Sequence, residues 1–155
     1  MCLLKPKWIL DHTEDIVCYK VLHYDTTLYP YGCYISPYAH RGHYEIGKTR
    51  SLKNKKPVIK NHLCPDYWYI EGSALHSYAK LEDAITDAKH CGWIKIYVVK
   101  CIIPKTSAFV LKGINGYYFA ENYVSQKLKL IEPVVLVDNH NGRHSVTYLN
   151  KENDS

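Results

Sequence analysis

Phenylalanine and methionine are scarce in this chain. Two Phe and one Met stand against 15 Tyr and three Trp in 155 residues. Most aromatic area therefore carries a hydroxyl, which needs water or a hydrogen-bond partner, so many of these rings belong at the rim of a core or in a cleft. Long apolar runs are missing as well: none reaches the roughly 18 residues of a spanning helix, which leaves no membrane partner on this reading. Met1 to Leu10 has no charged-then-apolar leader pattern. With no such pattern, the cysteines Cys2, Cys18, Cys33, Cys64, Cys91 and Cys101 are expected to be reduced thiols rather than a disulfide framework, and the expected setting is cytoplasmic, in a bacterial host cell. Acids are absent from Gly47 to Pro65, where Lys48, Arg50, Lys53, Lys55, Lys56 and Lys60 are concentrated. That run suits an anionic partner and equally suits a solvated basic loop; it does not require nucleic acid, which is not the expected partner.

Several chemistries lose their usual signatures. There is no CxxC and no four-ligand spacing for zinc, although His40 and His43, His62 and Cys64, and His140 and His144 are close pairs. No G-x-S-x-G, P-loop or Rossmann fingerprint is present. Cys64 beside His62 is the local pairing for a thiolate nucleophile, and it lacks an evident oxyanion partner. No cofactor and no catalytic residue are assigned on this basis. Hydrophobic content of 46% and charged content of 23% fit an ordinary folded domain of this length.

What is there reads as one α+β domain over 1–137 with a loose polar tail over 138–155. Met1 to Asp15 looks irregular. Ile16 to Leu22 alternates as a strand with apolar residues on both faces. Asp25 to Pro65 is expected to hold short strands or turns, with Tyr44 to Ile46 the visible one. Leu81, Ala84, Ile85 and Ala88 fall on one face of a helix over about 78–91, with Ser77 as its cap, Lys89 and His90 in its last turn, and Gly92 as its stop. Trp93 to Ile103 is the strongest strand and is ended by Pro104. Asn115-Gly116 suits a hairpin turn, and Ser125 to Ile131 and Val134 to Val137 add further strand. One amphipathic helix on a mostly antiparallel, twisted sheet is the economical arrangement.

The candidate site is built from three pieces. Glu71 to Tyr78 leads through Gly72 and Ser73 into the expected helix start, where free amides would hold a phosphate together with His76, Ser77 and Tyr78. Lys20, beside Tyr19, would join them if its strand ends near the helix; an exposed snorkelling side chain is the plainer reading. Tyr38, Arg41, His43 and Tyr44 interleave rings with cations, a pattern that suits stacking on a base and pairing with phosphate. An Arg and a Tyr packed on each other at a loop surface would look the same.

Cys18-Tyr19-Lys20-Val21-Leu22, Tyr44 to Lys48, Leu75-His76-Ser77-Tyr78, Leu81 to Ala84 and Val98 to Pro104 together resemble a pattern in uncharacterised small proteins of gut Bacteroidota and their phages. The order of strand, Gly-x-x-x-His-Ser-Tyr turn, helix and long strand also resembles the ADP-ribosyltransferase-like fold. That second resemblance implies a nicotinamide nucleotide near Tyr19, His76 and Tyr78 and a catalytic glutamate after Tyr117. Glu121 is the nearby acid and stands in no matching motif. The leading expectation is therefore a non-catalytic module that binds a nucleotide-like, phosphate-bearing small molecule. The phage resemblance implies a sponge that sequesters a host defence nucleotide signal. The alternatives are an ADP-ribosyltransferase-like enzyme acting on NAD and an oligomeric protein-interaction module anchored by exposed tyrosines.

Overall fold

The computed structural model describes residues 2–10, 12–27, 32–37, 43–53, 56–61, 67–71, 74–116 and 118–149. Thirteen strands and one helix follow in chain order: β1 (Cys2–Trp8), β2 (Ile16–Asp25), β3 (Cys33–Ile35), β4 (His43–Tyr44), β5 (Thr49–Ser51), β6 (Val58–Asn61), β7 (Tyr67–Glu71), β8 (Leu75–Tyr78), α1 (Leu81–His90), β9 (Lys95–Ile103), β10 (Val110–Asn115), β11 (Ala120–Ser125), β12 (Lys127–His140) and β13 (Arg143–Tyr148). The sheet runs in the order β13-β12-β9-β2-β8-β11-β10-β1-β7-β6, with β3 paired to β2, β4 to β3 and β5 to β12. Every strand pair is antiparallel. The protein is thus sheet-dominated, with one short helix among the described residues.

The alternation along β2 and β9 explains their central place. Cys18 and Leu22, with Val99, Cys101 and Ile103, pack on one face, joined by Tyr44, Leu75, Val110, Leu128 and Leu130. Val21, Ile96 and Val98 pack on the other face, under Ala84, Ile85 and Ala88 of α1. A third cluster, Leu3, Ile70, Phe109, Leu111 and Val124, fills the far end of the sheet. Strands covered on both faces read as near-continuous apolar runs, and β9 does so.

Five sequence expectations change. The opening segment is not irregular: β1 pairs with both β10 and β7. The helix starts at Leu81, its N-cap is Lys80, and no side chain caps it, so Ser77 does not serve there. Leu75 to Tyr78 are drawn into the sheet by pairing with Asn122 to Ser125, and that pairing outweighs the local helix-start signal. The residues after Asp138 are no loose tail up to Tyr148. β12 continues to His140, passing Pro133 where its register against β9 shifts. A tight turn at Asn141 (φ 52°) and Gly142 (φ 73°) then returns the chain as β13. The C-terminal stop of the helix is as expected, with Gly92 at φ 82°. β10 and β11 do pair as a hairpin, but its turn is not the expected Asn115-Gly116 dipeptide: Asn115 is the last residue of β10 and pairs with Ala120, and the positive φ falls at Phe119 (φ 51°). Pro104 follows the end of β9.

Candidate functional site

β2 and β9 stay in register from Ile16 to Leu22, but β2 meets β8 at a single register pair, Tyr19 with Tyr78. Beyond that pair the two strands part, and the sheet forks. The fork leaves a β8 carbonyl without a ladder partner, and a buried carbonyl must find a donor elsewhere. The Lys20 ammonium supplies it, donating to the His76 carbonyl at 2.5 Å. Lys20 is therefore only 8% exposed, which overturns the snorkelling reading. Its Nζ also sits 5.2 Å from the centre of the Tyr44 ring, which Arg50 approaches at 4.8 Å. Among the described residues no carboxylate pairs with Lys20.

The strand register carries this polarity across the sheet. Ser77 lies opposite Tyr123, and Tyr123 lies opposite Lys112. Lys112 hovers 5.7 Å from the Tyr123 ring and pairs with Glu121 at 3.4 Å. Glu121, the acid the transferase resemblance would need, is thus engaged by a lysine. On β2, burial pushes the Cys18 thiol up to about 12, against the smaller opposing effects of the neighbouring Ser77 and of the Lys20 charge, and the buried Ser77 hydroxyl itself has no hydrogen-bond partner among the described residues. Cys101, directly across from Cys18, is raised by burial too.

His76 and Tyr78 turn to the other face. The His76 Nδ1 is sealed from solvent with no hydrogen-bond partner, and so is the Asn122 Oδ1, whose residue lies opposite Tyr78 on β11. Burial first, and then the Lys20 charge, push the His76 imidazole down to about 3, so it is neutral at physiological pH. Tyr78 is raised well above the ordinary phenol range, by burial and then by the charge and hydrogen bond of Asp87 on α1. Its hydroxyl therefore ties β8 to the helix.

Five of the expected site residues, Tyr19, Lys20, His76, Ser77 and Tyr78, meet at the fork, and Tyr44 joins them through Lys20. They do not meet at a helix N-terminus, because β8 intervenes. His43 is exposed on β4, opposite Ile35. Tyr38 and Arg41 lie outside the described residues, as do His40, His62, Cys64, Lys55, Gly72 and Ser73. Asn122 was missed because an Asn within an alternating strand carries no motif. Arg50 was counted only in the basic run, where nothing marks its packing on Tyr44. Two concavities formed by described residues lie elsewhere: one at the β12–β13 hairpin, one beside Trp8 and His12. Among the described residues no group of three or more His, Cys, Asp or Glu is placed to hold a metal ion, and no helix is long and apolar enough to cross a membrane.

No family model matches the chain, and neither a curated protein nor a solved structure matches it.

Proposed function

We propose that the fork is the site of a non-catalytic module for a nucleotide-like, phosphate-bearing small molecule. The observation that carries this reading is the buried Lys20 ammonium, held by a carbonyl and a ring with no acid beside it among the described residues. A desolvated cation without a counter-ion is costly, and an anion from outside is the group that relieves it. Arg50 adds positive charge beside Lys20, and Tyr44 offers a ring next to both cations.

Calorimetric titration with AMP, ADP and NAD tests this. Binding that weakens at least about tenfold in Lys20→Met supports the site, because losing a buried charge–phosphate contact costs that much or more. No heat from any of the three, or equal affinity in the variant, removes it. Release of nicotinamide from NAD would replace the binding module with the transferase reading. Sequestration of a host defence nucleotide by a phage protein is the setting that the sequence resemblance adds to this proposal.

A further inference from the structure

β13 closes one end of the sheet, and among the described residues no strand lies on its outer side. Two backbone hydrogen bonds fix which of its groups face outward. The Asn139 amide donates to the Ile94 carbonyl at 2.6 Å, away from β13, and the Leu149 amide donates to the Val134 carbonyl at 2.9 Å. Backbone groups alternate in direction along a strand, so the even-numbered residues of β12 and the odd-numbered residues of β13 bond to each other. His144 and Val146 consequently aim their amides and carbonyls out of the sheet edge. Natural edges are blunted by proline, lysine, a bulge or short length. The opposite edge, β6, is guarded in this way: it has four residues, directly follows Pro57 and contains Lys60. β13 has six residues, no proline, no lysine and an unbroken register against β12.

We propose that β13 is an interaction surface for a second copy of this chain, joined edge to edge and antiparallel about a twofold axis at Val146. That axis sets Val146 opposite Val146 of the second copy, and His144 opposite Tyr148 of the second copy. Opposed residues whose backbone groups point at each other exchange hydrogen bonds in an antiparallel ladder, so this register satisfies His144 and Val146. These side chains share the face that carries α1: Val146 packs against the core under the helix, and the His144 ring is held by the Asn139 Oδ1 at 2.7 Å. Tyr148 is 49% exposed, so the pairing covers an aromatic ring with a positioned one. The one formal charge in β13 is Arg143. The axis sends the two arginines to opposite ends, about 20 Å apart and beyond the screening length at physiological salt. Pairing of β13 with β6 would instead leave an open edge on each copy and propagate, and β6 is the guarded edge. None of these residues belongs to the fork, so the interface and the fork stand or fall separately.

Sedimentation velocity of the full chain from about 5 μM to 1 mM spans the affinity that a small edge contact gives. A monomer that converts to a dimer and stops there is the expected result. Amide exchange over the same range locates the contact. The outward amides of His144 and Val146 are expected to slow by about tenfold or more as the dimer fills, whereas Ser145 and Thr147, already bonded to β12, are slow throughout. Val146→Pro removes the outward donor at the axis and takes no bond from β12, so association is expected to weaken about tenfold or more. Circular dichroism checks that this variant keeps its sheet; if it does not, the exchange pattern of the parent decides. A monomer at every concentration, or assembly that grows past two copies, overturns the proposal. So does a dimer in which His144 and Val146 exchange as fast as in the monomer, or one that a folded Val146→Pro forms equally well.

Discussion

The Lys20 side chain completes the hydrogen bonding of His76: its ammonium takes the carbonyl that β2 and β8 leave open where they part. The same group is thus a structural strut and the main buried charge of the candidate site. Lys20→Met keeps most of the volume and separates the roles. Stability measured by urea unfolding is expected to fall by about 1–3 kcal/mol, the cost of a buried carbonyl that loses its donor. Nucleotide affinity is expected to fall by more than stability does. A variant as stable as the parent would show that the carbonyl had found another donor and that Lys20 is not a strut.

The sealed imidazole of His76 sets a pH dependence. Its folded value of about 3 lies below the ordinary 6.5, so the unfolded chain takes up a proton that the native protein refuses. The contribution of this group is fully present above about pH 6.5 and is lost as the pH falls toward 3, at about 1.4 kcal/mol per pH unit. Urea midpoints between pH 7 and 4 are expected to show that slope, and His76→Gln to flatten it. An equal slope in both proteins would place the acid sensitivity on other groups.

How far the fold was legible in the sequence follows from which forces were local. β2, β9 and the apolar face of α1 read directly, because each buries its own periodic residues. β8 did not, since Leu75 to Tyr78 become a strand only when β11 lies alongside, a partner far away in the chain. The convergence of Lys20 on His76 depended on that same pairing. Both residues stand out in the sequence, but the long-range register is what brings them together. The polar β13 carries little apolar alternation, and its one local signal was Asn141-Gly142, which forms the turn there, whereas the same dipeptide at 115–116 does not, since Asn115 is paired with Ala120 as the last residue of β10.

Tyr78→Phe tests the tie between sheet and helix. Tyr78 is 8% exposed and Asp87 4% exposed, so the hydrogen bond between them is shielded from water. Hydrogen bonds to charged groups contribute about 1.5–3 kcal/mol, and removing the hydroxyl strips one from a buried carboxylate. Loss of that order in unfolding free energy is expected at neutral pH. A variant within about 0.5 kcal/mol of the parent, the scatter typical of surface substitutions, would show that this bond does not hold β8 to α1.

Gly142→Ala probes the turn that joins β12 to β13. Asn141 and Gly142 both have positive φ, as a two-residue hairpin of this hand requires. A methyl group at Gly142 would meet nothing within 4 Å, so the penalty comes from the backbone alone, about 1 kcal/mol or more. Because β13 pairs only with β12 and lies at the sheet edge, that strain should appear first as local opening. Amide hydrogen exchange is expected to quicken in β13, including Thr147, while Cys101 and Leu130 in the β9–β12 core keep their protection. Uniform acceleration across both sets would mean that the hairpin and the core open together and that β13 is not an independent local unit.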